Sequence, residues 1–180
     1  MKSGHRHADR RSPYVFDVHE IAHRAGVMKE FEVTVPAPAE LGTEVIGVPE
    51  GSDSHLDIQL QAVVEGVLVT GHVDAQLRGE CSRCLTELED EASFEFQELF
   101  YHPGREVEED ELTIVDETVD IEEPLRGAVV LELPFTPLCA EDCPGLCPDC
   151  GFDLNQDPTH GHGDKVDPRW EKLAGLTGDN

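Results

Sequence analysis

The feature that most constrains this chain is the placement of its six cysteines. Cys139, Cys143, Cys147 and Cys150 stand within LCAEDCPGLCPDCGFDLN, residues 138–155, and Cys81 and Cys84 form the one other pair. A Cys-x-x-Cys turn lets two thiolates converge on one cation. Pro148 and Gly151 suit such a turn, because proline presets a negative φ and glycine admits the positive φ that aims backbone N–H groups at sulfur. The spacing therefore predicts metal knuckles.

Four ligands complete a tetrahedral zinc site, and six cysteines leave two over. A local site from Cys139, Cys143, Cys147 and Cys150 would strand Cys81 and Cys84. A ribbon from Cys81, Cys84, Cys147 and Cys150 would strand Cys139 and Cys143. The count closes if His160 and His162 join. The preferred partition then gives Cys81, Cys84, Cys139 and Cys143 to one long-range site and Cys147, Cys150, His160 and His162 to a second, local one. The expected cofactor is Zn2+, as one or two ions. The plainer reading of His160 and His162 is a solvated loop. Iron could occupy a set of four thiolates, but zinc is the commoner occupant of mixed Cys/His sites.

At 180 residues the chain is long enough for a hydrophobic core without disulfide support. Residues 1–12, MKSGHRHADRRS, are basic, are followed by no apolar run, and are expected to form a disordered tail; their own His-x-His, His5 and His7, reads as bland there. No stretch approaches the length of a membrane helix. The chain is expected to be cytoplasmic, where reducing conditions favour thiolates on a metal over disulfides. Its net charge is −26, and four of its thirteen basic residues lie in the first eleven positions. Such a body repels phosphate backbones and attracts polycations, although part of the charge serves solubility alone.

The remaining pattern is mostly β. Residues 14–16 read as a short strand, with Asp17 placed to cap a brief helix through Val18, Ile21 and Ala22. Residues 29–35 alternate Phe31, Val33 and Val35 with polar residues, and residues 44–48 suggest another strand. Alternation is clearest in residues 56–64, then 67–77 after a Glu65-Gly66 turn, then 88–100. The expected fold is α+β: an antiparallel meander over 29–100, an acidic loop over 101–120, one packed helix over 121–133, a cysteine-rich zinc segment over 138–163 and a short helix over 167–174 anchored by Trp170. The body from 13 to 177 forms one domain. Cys81 and Cys84 fall at a hairpin tip, where a knuckle can face a partner segment.

The competing class is a thiol-disulfide oxidoreductase using Cys147 and Cys150. Such a centre needs a depressed thiolate pKa, and Asp149, Glu141 and Asp142 are expected to raise it. No phosphate-cradling glycine loop, GxSxG or HExxH is present, so a non-enzymatic protein with no small-molecule substrate is expected.

Taken together, GECSRCL, DIEEPLRGAVVLELP, PLCAEDCPGLCPDCGFDLN and DPRWEKLAGL resemble the YceD-like family, in its high-GC Gram-positive form, from about Phe16 to Leu176. The resemblance implies a role in the synthesis, processing or stability of large-subunit ribosomal RNA, and genes of this family commonly stand beside that of a small basic ribosomal protein. By position, Cys81 and Cys84 match the family's first knuckle. Cys139 and Cys143 match a pair that is cysteine or histidine in relatives. Cys147 and Cys150 match a second knuckle that some relatives lack, and relatives that have it often carry histidines near His160 and His162. On charge, the expected partner is a basic large-subunit ribosomal protein or assembly factor, with RNA contact indirect or through the N-terminal tail; were the body itself to bind RNA, the surface near Arg78 and Arg83 would be where it does.

Overall fold

A computed structural model describes residues 10–105, 108 and 111–162. The outermost tail, residues 1–9, and the expected helix over 167–174 with Trp170 lie outside the described residues. The rest is built around three long strands: β5 (Asp53–Ala62), β6 (Gly66–Glu80) and β7 (Glu87–Tyr101). They pair antiparallel as a meander, and β2 (Met28–Pro36) adds to the free edge of β5. A small hairpin of β3 (Leu41–Gly42) and β4 (Ile46–Val48) interrupts the chain between β2 and β5. It returns to pair with β6 at Arg78 and Gly79, beyond the last residue that β5 reaches.

The period of two decides which face is covered. Leu56, Ile58 and Leu60 of β5, Val67, Val69 and Val73 of β6, and Phe94 and Phe100 of β7 are buried in one core. The helix α1 (Glu122–Glu132) lies against β7 and β3 and inserts Leu125 and Val129 into that core, with Pro124 in its first turn as the sequence suggests. Arg126 fastens it, donating to the carbonyls of Ala39 and Glu40 at 2.8 and 3.1 Å. The opposite face of the sheet is polar.

Two local expectations change. The segment after Asp17 closes only a turn: the Ala22 N–H donates to the Val18 carbonyl at 2.8 Å, and the Asp17 carboxylate accepts from the His19 N–H instead of capping a helix. One apolar turn cannot meet the cost of helix nucleation, and Gly26, at φ +90°, diverts the chain to the Ala62 carbonyl. The stretch after Tyr101 is not simply a solvated loop. Ile114 is buried, and β8 (Thr118–Asp120) pairs with β1 (Val15–Asp17) as a second, two-stranded sheet. Ile114 and Val119 carry too little periodicity to announce this in a run of carboxylates.

Candidate metal centre

Two turns of the chain are built alike. In the first, at the tip of the β6–β7 hairpin, the Cys81 N–H donates to the Thr86 carbonyl and the Cys81 carbonyl accepts from the Leu85 N–H, at 2.8 and 2.9 Å. In the second, the Cys147 N–H donates to the Phe152 carbonyl and the Cys147 carbonyl accepts from the Gly151 N–H, both at 2.8 Å. The residue after the second cysteine has positive φ in each, +61° at Leu85 and +74° at Gly151. The expected glycine is thus present in one knuckle, while a leucine takes the same left-handed conformation in the other.

The structure sorts all eight predicted residues into two groups. Cys81, Cys84, Cys139 and Cys143 form one set, and Cys147, Cys150, His160 and His162 the other, with the ligand atoms of each set all within 4.8 Å of one another. In the first set, Cys81 Sγ and Cys143 Sγ stand 3.8 Å apart, and Cys84 Sγ and Cys139 Sγ 3.5 Å. Two sulfurs each roughly 2.3 Å from one tetrahedral ion would be separated by about 3.8 Å. All six cysteines are free, so these are not disulfides. In the second set, Cys150 Sγ lies 3.2 Å from His160 Nε2 and 3.1 Å from His162 Nε2, and the two Nε2 atoms are 3.2 Å apart. Both donor sets fit a four-coordinate ion, and either could hold one.

The second segment reaches the first knuckle because the chain after α1 is pinned beside it. The Ser82 N–H donates to the Pro137 carbonyl at 2.8 Å, and Arg83 Nη1 donates to the Cys143 carbonyl at 2.9 Å. Gly145, at φ +79°, lies so close to the Arg83 backbone that a Cβ there would sit 3.0 Å from its carbonyl oxygen. Arg83 is therefore a structural clamp, and Arg78 is paired with Glu89 at 3.1 Å. Asn155 couples the two sets: from the loop of the second it donates through Nδ2 to Cys143 Sγ of the first at 3.6 Å. Asn155 ends the cysteine-rich motif but carried no assigned role there, and no motif marked Thr86, whose hydroxyl lies 3.2 Å from Cys84 Sγ.

The knuckle geometry also sets the proton affinities. Burial alone would push the Cys81 thiol up, but the backbone N–H groups of Cys84, Cys139 and Arg83 outweigh it and bring the pKa down to about 6. The Thr86 hydroxyl, followed by the Thr86 backbone N–H, holds Cys84 below the ordinary thiol value. Cys139 moves the other way, pushed up to about 12 by hydrogen bonds to Cys143 and Cys84 and by desolvation. The cluster thus favours the thiolate at Cys81 and disfavours it at Cys139, whose proton a bound cation would displace. At the second knuckle the Asp149 backbone N–H lowers Cys147. The Asp149 carboxylate pushes this thiol upward as expected, but the Asp149 N–H, aimed at sulfur by the turn, acts more strongly, so the expected net rise does not result.

Among the described residues no helix is long and apolar enough to cross a membrane. Residues 69–177 match the family model described as "Large ribosomal RNA subunit accumulation protein YceD". An uncharacterized protein of Mycobacterium tuberculosis (strain H37Rv) is 45% identical over 172 residues, covering 93% of this chain and 83% of that one. One of Mycobacterium leprae is 39% identical over 170 residues, covering 92% and 78%. No solved structure matches the chain.

Proposed function

We propose a function from one premise: this chain belongs to the YceD family, the large ribosomal RNA subunit accumulation proteins. It serves the accumulation of large-subunit ribosomal RNA as a non-enzymatic, zinc-stabilised assembly factor that works through basic protein partners. The observation that carries this reading is that every cysteine belongs to one of two four-donor sets, so that no thiol is left over for redox turnover. When bound, zinc supplies cross-links between segments of the fold and no chemistry on a substrate. The chain's own residues do the remaining work. Arg83 and Gly145 hold the post-helix segment on the hairpin tip, and Asn155 orients the Cys143 sulfur.

The partner class follows from the sheet face opposite the core, which no described element covers. One cross-strand row reads Glu32, Asp57, His72, Glu95, and the next reads Thr34, His55, Asp74, Ser93. Such a face attracts a polycation and repels nucleic acid, and at a net charge of −26 the rest of the chain reinforces it. The test is affinity capture by the full chain at low and high salt, with and without nuclease. The expected result is salt-sensitive, nuclease-resistant recovery of basic large-subunit proteins. Tight nuclease-sensitive RNA binding by a chain lacking residues 1–11, at physiological salt, would refute it. The redox alternative would return if protein purified anaerobically without chelator held no metal.

A further inference from the structure

The outer side of α1 does not look like a finished surface. Its Glu123, Gly127 and Leu131 succeed one another at i, i+4 and i+8, on the face turned away from Leu125 and Val129. Leu131 is 83% exposed. Beside this row runs a groove of about 360 Å³ between α1 and β7, its apolar lining supplied by Phe96, Leu112, Ala128 and Leu131. Glu98 and Glu123 stand at its rim, and no basic side chain lines it among the described residues, while the Glu95 carboxylate turns to the opposite face of the sheet, 3.4 Å from His72 Nδ1.

Gly127 is the second observation. It sits inside a helix, where glycine costs roughly 1 kcal/mol relative to alanine, and close packing is the usual compensation. Here a Cβ at Gly127 would meet no described atom within 4 Å. No positive φ requires glycine there either. Nothing described in the free chain uses the space that this glycine leaves open, and that space opens into the acidic-rimmed groove.

We propose that the groove between α1 and β7 is the docking site for a basic amphipathic segment of a protein partner, which lays apolar side chains over Gly127 and Leu131 and sets lysine or arginine against Glu98 and Glu123. Apolar anchors give such a contact its affinity, while the carboxylate rim selects a cationic partner and speeds its approach. This rests on the reading above for the partner's basic character, and it names the surface that reading left open.

The test uses total protein extracted from purified large ribosomal subunits and freed of RNA, offered to the full chain and to its Leu131→Glu and Gly127→Arg variants. The wild type is expected to bind, with slowed amide exchange at 95–98 and 127–131. Each variant is expected to lose at least about ten-fold in affinity while melting within a few degrees of the wild type. Undiminished binding by both variants, with protection elsewhere, overturns the groove and leaves the basic partner standing. Failure of the wild type to bind overturns both. A marked fall in the melting temperature of free Leu131→Glu overturns it in favour of the chain's own residues 163–180 as the cover. A wild-type dimer that Leu131→Glu converts to monomer overturns it in favour of a second copy.

Discussion

The two donor sets share a knuckle and differ in what they join. The four-cysteine set ties the β6–β7 tip to the chain beyond α1, across 62 residues between Cys81 and Cys143. The mixed set closes a short loop, with 12 residues between Cys150 and His162. Burial differs in degree: in the first set Cys81, Cys84 and Cys143 are buried with Leu88, Leu138 and Leu146 packed around them and only Cys139 is exposed, whereas in the second only Cys147 is buried and Cys150 and His162 are exposed. A cross-link removes more freedom from the unfolded chain the longer the loop it closes, here by an additional 1.5 kcal/mol or so from loop length alone. With an ion bound, the first set would hold the architecture together, and the second would finish the end of the described chain.

The largest expected effect comes from breaking the long-range set. Cys81→Ser with Cys84→Ser should cost at least about 3 kcal/mol, which lowers the melting temperature by roughly 10 °C in a chain of this size. His160→Ala with His162→Ala should cost about 1 kcal/mol. Equal losses in a thermal melt of the two double variants would erase the distinction drawn between the sets.

Metal removal sharpens it further. Native mass spectrometry should find two zinc ions on the wild type and one on the His160→Ala, His162→Ala variant. A chelator should strip the exposed mixed set at least roughly ten times faster than the buried one, because ligand exchange needs solvent access. Simultaneous loss of both ions would show that the link through Asn155 makes them one unit. Asn155→Ala probes that link directly: it should weaken the four-cysteine set about ten-fold for metal and leave the mixed set's own donors in place.

The smallest effect tests the shared turn. Leu85 is 60% exposed and held at φ +61°, so Leu85→Gly should stabilise the protein by about 1 kcal/mol through relief of backbone strain. Gly151→Ala should do the reverse by about the same amount, since a Cβ there has open space among the described residues but the wrong φ. If Leu85→Gly instead loses stability or partner binding, the leucine side chain is itself in use.

Much of this was legible from residue order. Alternation in Leu56, Ile58 and Leu60 and in Val67, Val69 and Val73 marks the sheet, because a period of two reports which face is buried whatever lies opposite. The spacing of Leu125 and Val129 marks α1, and a Cys-x-x-Cys turn is a local object that predicts its own shape. The β3–β4 hairpin's attachment to the end of β6 was less legible, since pairing between Gly47 and Arg78 leaves no periodic trace in either segment.

Sequence alone marked the eight candidate donors, the hairpin tip carrying the first knuckle, and the acidic charge, because each is fixed by neighbours a few residues apart or by composition. Counting ligands left several partitions open, and only the tertiary structure decided among the groupings. Cys139 and Cys143 reach Cys81 and Cys84 because the β6–β7 hairpin and α1 deliver them to the same end of the core, where Arg83 meets the Cys143 carbonyl and Ser82 meets that of Pro137. The same holds for the thiol proton affinities. Asp149 reads as a repelling charge in sequence, but its N–H acts on Cys147 through a direction in space that only the folded turn specifies.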